Sequence, residues 1–276
     1  MAYLLSLKSL VFVAQLANHV KSLPTAPSPV TGNVTAIGIG ITSLDVSNKF
    51  YVSAFDFGKG SRMSFPTWEE DIMNPKNGGP ALIPMKFKDE RPVKNLPVKI
   101  QFAVPDPKAT LARVVEAGGS AAEGMESKEG TVWGKDPDGY LLELVPSSSA
   151  KGAVLTGIGY GSSDVAKSVA FFSSIAGTTP RAAVKAGAWD ISTVPTKLGF
   201  DIQFLDFHDT RPTKSLPLKI VFGAATIDGF KSTITANGGS LIKEIPAELS
   251  SIVGLGYDPV DAILMEVNPE GLLGSL

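Results

Sequence analysis

The sequence predicts an α+β protein of four βαβββ modules, which form two domains with curved mixed sheets and helices on their outer faces. A long internal repeat predicts this organisation: residues 87–102 return with little change as residues 207–222. The order strand, helix, several strands also recurs within each copy. A tight turn, Asp136-Pro137-Asp138-Gly139, precedes the last strand of the first copy.

The elements of the first copy follow from local patterns. Residues 34–41 alternate small and branched side chains, as in a strand, and residues 43–51 have a cap-like start and helical spacing. Extended chain continues to about residue 87. Residues 98–104 form the next strand, residues 106–117 form a helix that Gly118-Gly119 ends, and two strands lie near residues 131–133 and 140–145. The predicted domains are 34–147 and 154–268.

The strand after the tight turn carries one carboxylate. Proline and glycine suit the turn, and an apolar run interrupted by Glu143 follows it. In a half-buried strand a carboxylate without a partner is costly. We therefore expect Glu143 to have a partner.

Composition and charge argue against several functional classes of protein. A net charge of -2 and a pI near 5.8 do not favour nucleic-acid binding. No apolar run has the length of a membrane span, roughly 18 residues or more. Cysteine is absent, which excludes disulfides and thiolate ligands but leaves the compartment open.

Residues 1–33 form a separate N-terminal segment. A short apolar stretch follows Lys8, and a linker rich in Pro, Ser and Thr follows at residues 22–29. Two interpretations stay open: a signal peptide of a secreted protein, or a helical arm that docks on the domain or on a partner protein through residues 1–30.

These motifs together resemble the vicinal oxygen chelate superfamily, which includes glyoxalase I, extradiol dioxygenases and bleomycin-resistance proteins. The resemblance rests on the first helix Leu44-x-x-Ser47-x-x-Phe50-Tyr51, the Gly-Gly helix end, and Asp-Pro-Asp-Gly-Tyr-x-x-Glu-Leu-Val at residues 136–145. It covers residues 34–146 and, more weakly, 154–268. It implies the tandem fold but no particular activity.

The resemblance also implies where a divalent metal would bind, in a concave cup of each sheet. The family has four ligand positions, and each falls on one residue in the first copy and one in the second. In that order they are Ala36 and Gly157, Pro84 and Phe204 (within about one residue), Lys99 and Lys219, and Glu143 and Glu266. Only the last position keeps a ligand type, whereas a catalytic metal usually has about three protein ligands. We therefore expect no metal cofactor.

The fifth and eighth strands are neighbours in this fold, so Lys99 is expected beside Glu143 and Lys219 beside Glu266. The hypothesis is that an ammonium group compensates the carboxylate in place of a metal. The alternative is that both lysines extend to solvent.

Glycine-rich first strands give a second indication. Ala36, Gly38 and Gly40 share one face, and Gly157, Gly159 and Gly161 share the equivalent face of the second copy. Either a ligand approaches this bare backbone or another part of the protein packs on it. The ligand alternative adds Gln101, Trp133 and Trp189 as pocket candidates.

Other charged groups are expected at the surface. These are the acidic run of residues 68–71, interpreted as a solvated loop, and the His208-Asp209 pair. Arg91 and Arg211 are expected to bind Asp89 and Asp209, with binding of a substrate anion as the alternative.

The sequence therefore favours a small-molecule binder or a docking subunit, with a monomer compatible with the internal duplication. The alternative is an enzyme of the family (lyase, isomerase or dioxygenase), which uses an improvised metal site or acid–base chemistry of Lys99, Glu143, Lys219 or Glu266.

Overall fold

A computed structural model describes residues 30–125, 130–187, 189–209, 211–224, 226–243 and 253–269. Residues 1–29, which hold most of the predicted N-terminal segment, lie outside the described residues. The described chain forms sixteen strands and four helices in the predicted order.

Each module is one helix with its strands. Module 1 comprises β1 (Val30–Gly40), α1 (Leu44–Phe55), β2 (Ser61–Ser64), β3 (Trp68–Ile72) and β4 (Ala81–Phe87). Module 2 comprises β5 (Val98–Val104), α2 (Pro107–Glu116), β6 (Ser120–Ala121), β7 (Val132–Lys135) and β8 (Leu141–Pro146). Module 3 comprises β9 (Val154–Gly161), α3 (Val165–Ala176), β10 (Val184–Lys185), β11 (Trp189–Pro195) and β12 (Asp201–Phe207). Module 4 comprises β13 (Leu218–Ala224), α4 (Ile227–Ala236), β14 (Ser240–Leu241), β15 (Gly254–Tyr257) and β16 (Leu264–Pro269).

Modules pair across the two sequence copies. Modules 1 and 4 form one eight-stranded sheet, in the order β14-β15-β16-β13-β1-β4-β3-β2, and modules 2 and 3 form the other, in the order β10-β11-β12-β9-β5-β8-β7-β6. The antiparallel pairs β1–β13 and β5–β9 join the two modules of each sheet. Each sheet therefore contains one module from each copy, while 34–147 and 154–268 as independent domains stay a prediction.

Every helix begins at a side-chain cap. Ser43, Asp106, Asp164 and Thr226 each accept a hydrogen bond from a backbone N–H three residues later. Such caps satisfy a backbone donor that the first turn leaves without an internal partner.

The helices pack on one face of each sheet. Ile37 and Ile39 of β1 and Ile41 just after it belong to this core, as do Ile100, Phe102 and Val104 of β5. The ring of Phe55 on α1 stacks on Phe102 with centroids 4.0 Å apart, so the core continues from one sheet to the other. The opposite, helix-free faces are the 1–4 cup and the 2–3 cup, named by their modules.

The tight turn of residues 136–139 is fixed by the buried carboxylate of Asp136. Asp136 accepts hydrogen bonds from the backbone N–H groups of Asp138 and Tyr140 and from the Tyr51 hydroxyl. Gly139 has φ 86°, which glycine adopts without strain. Burial raises the pKa of Asp136 to about 7, although these hydrogen bonds oppose the shift.

No helix within the described part of the chain has the length and apolarity needed to cross a membrane.

Candidate functional site

The parallel pair β5–β8 places a lysine next to a glutamate in the 2–3 cup. Lys99 Nζ lies 2.6 Å from Glu143 Oε2, and Gln101 Nε2 donates to the same oxygen at 3.0 Å. Lys99 is only 1% exposed, and its ammonium lies 5.5 Å from the centre of the Trp133 ring. The expected pair is present, and the alternative of a solvent-extended lysine is wrong here.

The 1–4 cup contains the same pair and adds a second carboxylate. Lys219 Nζ lies 2.8 Å from both Glu266 Oε2 and Glu70 Oε2. Glu70 also accepts a hydrogen bond from Trp68 Nε1 at 2.7 Å, and Asn268 donates to Glu266 at 3.0 Å. One buried ammonium therefore faces two carboxylates.

Lys219, Glu70 and Glu266 form a buried triad, in which burial and the opposite charge of a partner act in opposite directions on the pKa values of Glu70 and Lys219. Burial raises the pKa of Glu70 above its usual range, Lys219 opposes that shift, and the nearby charge of Glu266 adds to it. Burial alone lowers the pKa of Lys219, but Glu266 and Glu70 outweigh it and hold that pKa above its ordinary value. The lysine therefore stays charged and holds the carboxylates together.

The prediction that residues 68–71 form a solvated loop is wrong. They belong to β3, and Glu70 and Asp71 are 2% and 1% exposed. Glu70 faces the cup, whereas Asp71 faces the other side, where Arg62 and Asn48 bind it. A period-two alternation of Trp68, Glu70 and Ile72 was the available signal, and partners distant in sequence outweigh the local polarity.

The floors of the two cups differ in polarity. A buried apolar cluster forms the floor of the 1–4 cup: Ala36, Ile72, Ala81, Ile83, Met85 and Val221. By strand register and repeat position, the equivalent residues of the 2–3 cup are Gly157, Thr193, Asp201, Gln203, Leu205 and Gln101. Most of the apolar floor of one cup is therefore polar in the other.

A cavity of about 210 Å³ lies in the 2–3 cup. Its lining residues are Lys99, Met125, Thr131, Trp133, Glu143, Val184, Ala186, Trp189, Ile191, Thr193 and Gln203. One cavity thus brings together four site candidates: Lys99, Glu143, Trp133 and Trp189. Gln203, which the sequence did not identify, lies one residue before Phe204, the residue expected at a ligand position of the family.

Two buried polar atoms at this cavity lack a protein partner. Gln203 is 6% exposed and Trp189 is 7% exposed. Gln203 Oε1 and Trp189 Nε1 have no hydrogen-bond partner among the described residues. Buried polar groups are usually hydrogen-bonded, so an unpartnered acceptor and an unpartnered donor on two residues that line the cavity suit a polar ligand.

Side chains of neighbouring strands occupy the space beside the glycines. A Cβ on Gly38 would lie 2.8 Å from Lys219 Cβ, and one on Gly159 would lie 3.2 Å from Lys99 Cε. Gly40 lies against Pro217, Gly157 against Gln101, and Gly161 against Thr213 and Phe207. Packing within the protein therefore accounts for these glycines.

The chemistry of the donors does not fit a divalent metal. No three or more His, Cys, Asp or Glu side chains are grouped for metal binding in the described ranges. The glutamates at the expected ligand positions are paired with ammonium groups, which would repel a cation.

The remaining charged candidates lie at the surface. Arg91 forms paired hydrogen bonds with Asp89, and Arg211 forms them with Asp209, as expected. Each guanidinium also lies 3.9 Å from the centre of a phenylalanine ring. The His208 side chain is 60% exposed.

Comparisons with known proteins agree with this architecture. Residues 38–145 match the model of a glyoxalase-like domain. No curated protein matches the chain in sequence.

Solved structures with the same fold include two structures of one plant protein and one structure of a bacterial protein. A point variant of glyoxalase I from Zea mays has a TM-score of 0.67 at 13% identity, over 95% of this chain and 99% of that chain. Glyoxalase I from Zea mays has a TM-score of 0.66 at 13% identity, over 88% and 94%. A putative dioxygenase from Bacillus subtilis has a TM-score of 0.64 at 13% identity, over 88% and 86%. The chain therefore has the same fold as glyoxalase I, and its residues 38–145 match the model of a glyoxalase-like domain.

Proposed function

We propose that this protein binds a small organic molecule in the cavity of the 2–3 cup, while the 1–4 cup has a structural role. The observation that carries the proposal is the difference between the cups. The 1–4 cup is packed with apolar side chains around a triad whose ammonium and carboxylates bind one another. The 2–3 cup has a cavity with an unpartnered donor and an unpartnered acceptor.

The size and lining of the cavity limit the ligand. About 210 Å³ exceeds the roughly 150 Å³ of an apolar cavity that binds benzene, so it suits a molecule of one ring or a short chain. Met125, Val184 and Ile191 offer apolar contacts, and two tryptophans add flat surfaces. A few polar groups within a largely apolar lining are typical of small-molecule sites.

A screen of neutral and charged single-ring fragments against the full chain tests the proposal. Binding is detected by saturation-transfer NMR and compared in two variants. Ala186→Phe puts a ring into the cavity wall, whereas Ala182→Phe changes an exposed residue of the same segment that does not line the cavity. Fragments that bind the wild type and Ala182→Phe but not Ala186→Phe support the proposal. A screen without binders, or binders indifferent to Ala186→Phe, refutes it.

One observation supports a second candidate, an enzyme that uses acid–base chemistry. Lys99 and Glu143 are hydrogen-bonded to each other and both line the cavity, so a bound molecule would meet both groups. Fragments that bind are incubated with the protein, and their spectra are followed for chemical change. Turnover that Lys99→Met abolishes supports the enzyme, and unchanged fragments support the binder.

A further inference from the structure

The two cups are repeats of each other, so one serves as a template for the other. Trp68 pairs with Phe87 and Trp189 pairs with Phe207, at equivalent positions of β3 and β11. Lys219 pairs with Gly38, as Lys99 pairs with Gly159. Each cup therefore has a tryptophan and a lysine at equivalent backbone positions.

In the 1–4 cup a single carboxylate oxygen receives both donors. Glu70 Oε2 lies 2.7 Å from Trp68 Nε1 and 2.8 Å from Lys219 Nζ. Both distances are typical of strong hydrogen bonds to a charged acceptor. The internal repeat thus shows that this tryptophan–lysine arrangement binds a carboxylate.

In the 2–3 cup the equivalent position carries no carboxylate. Glu70 pairs with Met85 and Ile191 pairs with Leu205, so Ile191 stands where Glu70 would be. Trp189 Nε1 has no partner in the described part of the chain, and Lys99 makes an ion pair with Glu143 alone. Trp189, Lys99 and Ile191 all line the cavity.

We infer that the 2–3 cup binds small organic carboxylates, whose acid group receives the same two kinds of donor that Glu70 receives in the 1–4 cup, an indole N–H and an ammonium. The carboxylate accepts hydrogen bonds from Trp189 Nε1 and Lys99 Nζ. The apolar part of the ligand contacts Ile191 and Val184. This inference rests on the proposed function, since it names the ligand class of the same cavity.

The charge balance has a precedent in the same molecule. With a ligand bound, Lys99 would have two acidic partners, the ligand carboxylate and Glu143. Lys219 already has two, Glu70 and Glu266, in a more deeply buried cup. Lysine has three N–H donors, which is enough for both partners.

Benzoate and benzamide test the carboxylate, because they share a ring and differ in charge. Binding to the full chain is followed through the indole N–H signals of the three tryptophans in ¹H–¹⁵N spectra. We expect benzoate to bind at least tenfold more tightly than benzamide, since hydrogen bonds to a charged group are the stronger ones. The Trp189 signal should move downfield, towards that of Trp68, which already donates to a carboxylate.

Two variants of one residue separate charge from size. Ile191→Glu supplies the carboxylate within the chain, so the Trp189 signal should move without ligand, and benzoate affinity should fall at least tenfold. Ile191→Met fills similar volume without charge, so it should weaken benzoate binding less than Ile191→Glu does and should leave the Trp189 signal of the unliganded protein in place. An Ile191→Glu variant that leaves the Trp189 signal and benzoate binding unchanged overturns the inference.

The remaining outcomes separate this inference from the proposed function. Benzamide binding in the cavity as tightly as benzoate overturns the carboxylate assignment and leaves the proposed function standing. If benzoate, benzamide and every fragment of the wider screen fail to bind, the carboxylate inference and the proposed function are both refuted.

Discussion

Replacing Lys219 by methionine tests the role of the buried triad most directly. Lys219 is 1% exposed and lies 2.8 Å from both Glu70 and Glu266, so the variant leaves two buried carboxylates without their cation. Removing one partner of a buried ion pair costs about 3–5 kcal/mol in the free energy of unfolding. For a chain of this size, roughly 2–4 °C per kcal/mol converts that loss into a melting temperature lower by about 6–20 °C.

The equivalent change in the other cup is the matched control. Lys99→Met leaves only Glu143, whose side chain is 16% exposed and keeps its hydrogen bond from Gln101. We expect a loss of about 1–3 kcal/mol there. Thermal and urea unfolding of both variants is followed by circular dichroism. A Lys219→Met variant no less stable than Lys99→Met would refute the reasoning.

A double variant separates lost charge from lost packing. Glu70→Gln in the Lys219→Met background removes one of the two stranded charges while keeping a similar shape. It should recover part of the stability if unpaired charge causes the loss, and none if the methionine simply packs badly.

Two further predictions concern the glycines and the pH dependence of stability. Gly38→Ala should destabilise by about 1–3 kcal/mol in urea unfolding, because its Cβ would lie 2.8 Å from Lys219 Cβ. Gly159→Ala should be within about 1 kcal/mol of wild type, because the nearest atom to its Cβ is the flexible end of Lys99 at 3.2 Å, and Gln203 Cβ lies at an ordinary contact distance of 3.4 Å. Asp136 has a folded-state pKa of about 7, above its unfolded value, so folding favours the protonated form and stability contributed by this group falls as pH rises from about 4 to about 7. The shift corresponds to about 4 kcal/mol at most, so stability measured from pH 4 to pH 8 should decline less in Asp136→Asn than in wild type, and parallel curves would contradict the assignment.

Local patterns were sufficient to predict the modules, because strand alternation, helix caps and glycine stops depend on near neighbours. The strand 98–104 and the helix after Asp106 lie where the sequence placed them. To predict the Lys99–Glu143 pair, one must also know which strands are adjacent in this fold.

The difference between the cups depends on contacts that no local pattern contains. Glu70 looked solvated because its neighbours in sequence are acidic, yet its partner Lys219 lies 149 residues away. Ile191, which lines the cavity, stands at the position of Glu70, and this equivalence becomes visible only when β3 and β11 are compared in register. Such a comparison of repeat copies, strand by strand, was the signal that the sequence offered.

The pairing of the first module with the last determines how the chain can be assembled on a ribosome. Modules 2 and 3 are consecutive, so their sheet can close while later residues are still being made. The first module must wait for β13 before the free side of β1 is covered and before Glu70 meets its counter-ion. Newly made chains thus pass through a stage with an exposed strand edge, a state prone to aggregation, and holdase chaperones would act at that stage of synthesis.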